Sequence, residues 1–316
     1  MSSPVDVAVA ILARADGSVL LAQRPEGKVY AGYWEFPGGK VEPGEAVADA
    51  LVREIDEELG VHLDRERAFP WITQVFTYPH ATVRLHFYRV FAWTGELRAI
   101  EHQGLNWERP EAICVTPLLP ANGPVLKGLS LPDEYAITQA GAMGTGPFLA
   151  CLQARLASGL RLIQVREKSF AAAALVELAA QVIALARPLG AKVIINTDIE
   201  LAQRLGADGV HLTSQQLREL SKRPDLPWCG VSCHDAEELR MAEQLGVDFA
   251  VLGPVLPTLS HAEAMPLGWD GFESIVRGAT IPVYALGGIS TPMLDEARRR
   301  GGHGIAMLRG SWMAAS

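Results

Sequence analysis

The stretch GGKVEPGEAVADALVREIDEELGV, residues 38–61, runs from the pair Gly38-Gly39 to Gly60 through a segment dense in carboxylates. From near Glu45 onward, Val47, Leu51, Ile55 and Leu59 recur one turn apart, which predicts a helix with an apolar stripe turned to a core. On another face Glu54, Glu57 and Glu58 stand at i, i+3 and i+4. Like charges at that spacing are neighbours and cost roughly a few tenths of a kcal/mol per pair. A solvated acidic face is the plainer reading. The other is a hard divalent cation: Mg²⁺ takes oxygen ligands and is commonly held by one or two carboxylates together with substrate phosphates. Mn²⁺ is the alternative ion for the same donors.

Moving outward, 316 residues exceed one average domain and point to two. Hydrophobic residues make up 49% of the chain, enough for a substantial core, and the net charge of −8 argues against direct nucleic-acid binding and against anionic membranes. Cys114, Cys151, Cys229 and Cys233 lack metal-knuckle or redox spacing, so free thiols in a reducing cytoplasm are expected. The N-terminal segment has no basic region before its short apolar run, and Asp6 and Asp16 interrupt it, so neither a signal peptide nor a membrane span is expected.

Before the acidic helix, VDVAVAILAR (5–14), ADGS and VLLAQRP (19–25) read as strand, turn and strand; after it, TVRLHFYRVFAWTG (82–95) reads as further strand. These carry antiparallel signals with tight turns. Around LPANGPVLKGLSLPDE the pattern gives a last short helix and then a linker ending near Pro132. From Tyr135 the character changes. YAIT, LRLIQVRE, KVIINT, GVHLT, WCGVSC, FAVLGP, VYALGG and GIAMLRG are short apolar strands separated by Ala- and Leu-rich helices, the pattern of a (β/α)₈ barrel. The expected architecture is α/β throughout, with domains at 1–131 and 132–316.

Gly39, five residues, Glu45, seven residues, then Arg53-Glu54-Ile55-Asp56-Glu57-Glu58-Leu59-Gly60-Val61 resembles the Nudix box of nucleoside-diphosphate-linked hydrolases. The resemblance implies an αβα sandwich with a mixed sheet. It also implies that Glu54, Glu57 and Glu58 hold the metal with the Gly39 carbonyl, that Arg53 orients a carboxylate, and that Glu54, or else Glu45 or Glu101, is the base. A metal clamp neutralises phosphate charge and lowers the pKa of attacking water. LLAQRPEGKVYAGYWEFPGGKVEPGE and PANGPV resemble the MutT type, which cleanses oxidised purine triphosphates. That resemblance implies hydrolysis of 8-oxo-dGTP to the monophosphate and pyrophosphate, sanitising the nucleotide pool for replication. Arg24 and Phe36 would then lie near sugar and base, Asn122 would read the oxidised edge, and Glu101 would be a further metal-side acid. An amide donates and accepts at once, as such a base requires; alternatively Asn122 caps a helix.

The region 132–316 resembles thiamine-phosphate synthase and its TenI-like relatives through IQVREK, IINTD, GADGVHL, GVSCH and GPVLPT. The resemblance implies a thiazole- or thiamine-phosphate ligand, with Gln164, Arg166, Lys168 and Asn196 at strand tops and Gly287-Gly288 cradling phosphate. His234 would be the base of a proton shift. Departures accompany the matches. Thr197 stands where the synthase has a metal aspartate, TSQQL lacks the second one, His261 replaces a lysine and Arg309 a phosphate-contacting serine. Without those carboxylates a pyrophosphate leaving group is poorly stabilised. Two other readings follow: a thiamine-pathway bifunctional enzyme whose Nudix half clears a thiamine-related diphosphate, and a barrel that only binds a phosphate ligand or dimerises. A homodimer is compatible with either.

Overall fold

The computed structural model describes residues 4–79, 81–258 and 265–312; His261 lies outside them. The chain divides into two compact units, one comprising the residues up to Leu131 with Gly278–Thr280 and the other the remainder.

In the first unit the elements are β1 (Val5–Leu12), β2 (Val19–Gln23), β3 (Trp34–Glu35), β4 (Gly38–Lys40), α1 (Val47–Leu59), β5 (His62–Leu63), β6 (Ala68–Thr77), β7 (Thr82–Val90), β8 (Trp93–Thr94), β9 (Gly104–Glu108) and α2 (Asn122–Leu129). The main sheet runs β4-β1-β7-β6 and is mixed: β1 lies parallel to β7 from Val5↔Val83 to Leu12↔Val90, while β4 and β6 pair antiparallel. The sequence pattern had suggested a strand-turn-strand at 5–25. Asp16 closes that turn by accepting from the Ser18 N–H and hydroxyl, but only the Ala13↔Val19 bridge forms across it. Beyond the bridge β2 joins β3 and β9 in a second antiparallel sheet.

Helix α1 begins at Val47, with Ala46 at its N-cap, and the Glu45 carboxylate accepts from the Glu42 N–H in the preceding turn. Its stripe of Ala50, Leu51, Ile55 and Leu59 packs on Ala8, Ala10, Leu12 and Leu20. Full burial of a Leu or Ile side chain contributes about 1.5–3 kcal/mol, so this stripe fixes the rotation of the helix. On the opposite side Val9, Ile11, Leu21, Phe36 and Phe87 pack with Val125 and Leu126 of α2. The result is a helix-sheet-helix sandwich.

The second unit is a closed parallel barrel of β10 (Glu134–Ile137), β11 (Leu162–Val165), β12 (Lys192–Asn196), β13 (Gly209–Leu212), β14 (Trp228–Cys233), β15 (Phe249–Leu252), β16 (Val283–Leu286) and β17 (Gly304–Met307). Helices α3 (Ala140–Met143), α4 (Thr145–Ala157), α5 (Ala172–Ala186), α6 (Ile199–Leu205), α7 (Ser214–Glu219), α8 (Ala236–Leu245), α9 (Gly268–Val276) and α10 (Leu294–Arg299) lie between them. All eight strands expected from the apolar runs are present. Tyr135, Phe249 and Tyr284 fill the barrel, with ring centroids 5.4 to 5.7 Å apart. With the turn to Leu189, α5 is apolar and long enough to cross a bilayer. It instead buries Leu178, Ala179, Val182, Ile183 and Ala186 within the unit.

Candidate functional site

The loop and helix of residues 38–61 place their charged groups around one arginine. Arg53 donates to Glu45 Oε1 and Oε2 at 3.0 Å each, to Glu54 Oε1 at 2.8 Å, to Glu57 Oε2 at 3.3 Å and to the Lys40 carbonyl at 3.1 Å. These hydrogen bonds, with Glu45 first, raise the Arg53 guanidinium above its ordinary pKa; in return they lower the Glu45 carboxyl. Glu54 moves the other way. Burial raises its carboxyl despite Arg53, and Glu58 and Glu57 add to the rise. A methyl group on Gly39 would lie 2.0 Å from Glu54 Oε2, so the glycine leaves the space that this carboxylate occupies.

Glu58 faces inward, away from Arg53. Its Oε2 accepts from the Gly38 N–H at 2.9 Å and lies 3.2 Å from His102 Nε2. The three glutamates therefore point into two settings, and no ready-made cluster of three metal-ligating side chains exists among the described residues. The donor set still suits a hard divalent ion: all oxygen, crowded with like charge, and with the Glu54 carboxyl pushed toward its neutral form first by burial and then by Glu58 and Glu57. Glu101 is not gathered with the other acids. Its side chain is 49% exposed and pairs with Lys28 at 3.2 Å.

Arg24, which as an isolated residue would read as a surface charge, is held on both sides, by Glu35 Oε1 and by the Val29 carbonyl. Burial raises the Glu35 carboxyl against the pull of Arg24. Phe36 sits in the core edge-on to Phe87, with centroids 6.3 Å apart. Asn122 is 4% exposed and begins α2, where the N-cap position belongs to Ala121. Its amide donates to the Trp34 carbonyl at 3.4 Å, so the side chain is not a helix cap. Glu35, within GYWEFPGG, and His102, next to Glu101, carry no motif in the sequence that marks these contacts.

In the barrel, Gln164 is buried and donates to the Tyr135 hydroxyl at 3.1 Å. That hydroxyl lies 3.3 Å from His211 Nδ1, and His211 Nε2 lies 2.9 Å from Ser232 Oγ. Burial pushes the His211 imidazole down to about 3, so it is neutral. The sequence singled out only Gln164 of this chain, since an inward-facing Tyr or His on a strand looks like core. The Arg166 N–H donates to Thr138 Oγ1, and burial lowers the guanidinium; Lys168 is exposed. Asn196 ends β12, and Thr197 follows in the left-handed region at φ 65° with its hydroxyl on the Asn196 carbonyl. His234 Nδ1 lies 2.9 Å from Glu238 Oε2, and Glu238 also accepts from Arg218 and the His234 N–H. Gly287 and Gly288 follow β16 at φ 99° and 66°; a methyl on Gly288 would meet Leu256 Cβ at 2.7 Å.

Comparison with known proteins follows the same division. Residues 3–129 match the NUDIX domain, and residues 134–310 match the family described as thiamine monophosphate synthase. The chain belongs to both families. The Nudix half is 44% identical over 124 residues to the CTP pyrophosphohydrolase of Escherichia coli (strain K12), covering 39% of this chain and 89% of that protein. The synthase-family half is 37% identical over 180 residues to a putative thiamine-phosphate synthase 2 of Aquifex aeolicus (strain VF5), covering 56% of this chain and 96% of that protein. The crystal structure of a MutT NUDIX hydrolase from Burkholderia pseudomallei is 32% identical, covers 40% of this chain and 98% of that one, and superposes with a TM-score of 0.37. The chain thus joins a Nudix hydrolase domain, of a family acting on phosphorus anhydrides with divalent metals, to a thiamine-phosphate-synthase-like barrel.

Proposed function

We propose that the Nudix half hydrolyses oxidised purine nucleoside triphosphates, 8-oxo-dGTP above all, to the monophosphate and pyrophosphate in a Mg²⁺-dependent reaction. The observation that supports this substrate is the buried, non-capping amide of Asn122, which spends one donor on the Trp34 carbonyl and keeps its oxygen and second N–H for a base edge. Glu54, Glu57, Glu58 and the Gly39 carbonyl would hold the ion, which when bound supplies charge neutralisation and a more acidic attacking water. Glu54 would take up the proton of the attacking water. Its carboxyl, raised by burial and by Glu58 and Glu57, is more basic than an ordinary glutamate, as a general base requires. Arg53 holds Glu45 and Glu54 in register.

The 44% identity to a protein named CTP pyrophosphohydrolase favours a second reading, a pyrimidine triphosphate in the same site. Measuring kcat/KM for 8-oxo-dGTP, dGTP and CTP with Mg²⁺ decides between them. A preference for 8-oxo-dGTP that collapses on Asn122→Ala is the expected result, and a preference for CTP overturns the purine reading.

For the barrel we infer, from its match to the thiamine monophosphate synthase family, a thiazole- or thiamine-type phosphate at Arg166, Lys168, Asn196 and Gly287-Gly288, with the neighbouring carboxylates among the described residues already engaged. Glu167 is spent on the Ala140 and Gly141 N–H groups, Asp198 and Asp235 cap α6 and α8, and Glu238 is paired. Binding of thiazole phosphate should therefore be insensitive to a chelator by calorimetry.

A further inference from the structure

His102 is set against Glu58 of α1, and nothing in the Nudix-box pattern calls for it. The segment that carries it is tied to that helix: the Arg98 N–H donates to the Leu59 carbonyl at 2.9 Å and the Ile100 N–H to the Glu58 carbonyl at 3.1 Å. On the far side the Gln103 N–H donates to the Gln23 carbonyl at 3.0 Å. The imidazole is thereby fixed to the frame that holds Glu58. Its side chain is 3% exposed, and Nε2 meets Glu58 Oε2 at 3.2 Å. A carboxylate accepts, so Nε2 carries the hydrogen. Nδ1 is buried with no partner among the described residues, so the Glu58 contact is the ring's one polar engagement there.

Glu58 differs from its neighbours in the same respect. Glu54 and Glu57 are held by Arg53, whereas Glu58 has the Gly38 N–H and His102 as partners, both on Oε2. With one oxygen held by two donors, the rotation of the carboxylate is set and Oε1 is the oxygen left to a ligand. We propose that His102 is a positioning residue that fixes Glu58 for metal binding. This rests on the reading of Glu58 as a metal ligand. Hydrogen-bond partners of metal ligands typically carry about 10- to 100-fold in metal affinity.

The test is Mn²⁺ affinity of the full chain, read by electron paramagnetic resonance, for wild type, Glu58→Gln, His102→Leu, His102→Asn and His102→Gln. Glu58→Gln and His102→Leu should each weaken Mn²⁺ about tenfold or more. His102→Asn, whose amide is too short to reach Glu58, should behave like His102→Leu and stands in for it should the leucine variant fail to fold. His102→Gln places an N–H near the position of Nε2 and should stay within about threefold of wild type. The same split should appear in turnover, with the Mg²⁺ needed for half-maximal rate raised in the Leu and Asn variants and kcat at saturating metal largely kept. Unchanged Mn²⁺ affinity in folded His102→Leu or His102→Asn, alongside a loss in Glu58→Gln, overturns the positioning role alone. Unchanged affinity in Glu58→Gln overturns the metal reading and this inference with it.

Discussion

At the scale of single residues, the Nudix site depends on a side chain that is missing. Gly39 pairs with Ala8 in the sheet and leaves room for the Glu54 carboxylate, which lies where a β-carbon would be. Gly39→Ala must push that carboxylate aside, away from Arg53. The fold, held by α1 packing, should survive. We expect kcat/KM to fall about 10²-fold or more, the scale of losing a positioned acid-base group, with little change in melting temperature. Glu54→Gln should show a loss of similar size without a steric cause. Wild-type turnover in either variant would remove Glu54 from the proposed chemistry. Gly39, Glu45, Arg53 and Glu54 were legible through their resemblance to the Nudix box, whose fixed positions include all four. Glu35 and His102 were not, because their partners are 11 and 44 positions away and only the fold creates the contacts.

At the scale of elements, α1 serves two faces at once. Ala50, Leu51, Ile55 and Leu59 fix its rotation in the core, and that rotation decides which acids meet Arg53 and which one turns to His102. Ile55 is fully buried and sits directly after Glu54. Truncation by Ile55→Ala should therefore cost about 2–5 kcal/mol of stability, read as a lower melting temperature of the Nudix unit. At temperatures where the variant is folded, the Mg²⁺ requirement should rise as well. A large stability loss with an unchanged metal requirement would mean that the helix can loosen without moving its acids. The helix itself was readable from its apolar period. The pairing of the strands before it was not: alternation marks a strand, but the parallel register of β1 on β7 comes from residues some 78 positions downstream, and no local turn signal encodes that.

At the scale of the whole molecule, the change from a period-two pattern to alternating strands and helices marked a barrel following a sandwich, and the eight apolar runs became its eight strands. What the runs concealed is the polar chain inside. His211 lies on β13 between residues that read as core, and the closed barrel places it against Tyr135 and Ser232, where it must be neutral. This couples the stability of the barrel to pH with a definite sign. The folded pKa of about 3 lies below the ordinary histidine value of 6.5, so the unfolded chain takes up the proton first as the medium is acidified. Stability is then full above about pH 6.5, declines as pH falls below it, and stops declining on this account near the folded value. Between pH 7 and pH 5 the loss from His211 should be about 2 kcal/mol. Urea unfolding of the full chain at both pH values, for wild type and His211→Gln, isolates the effect: the glutamine has no proton to gain, so its acid-side loss should be smaller by that amount. Equal losses in the two proteins would mean that water or a rearranged partner lets the imidazole charge inside the barrel, and that the chain from Gln164 to Ser232 is not the closed neutral network the distances describe.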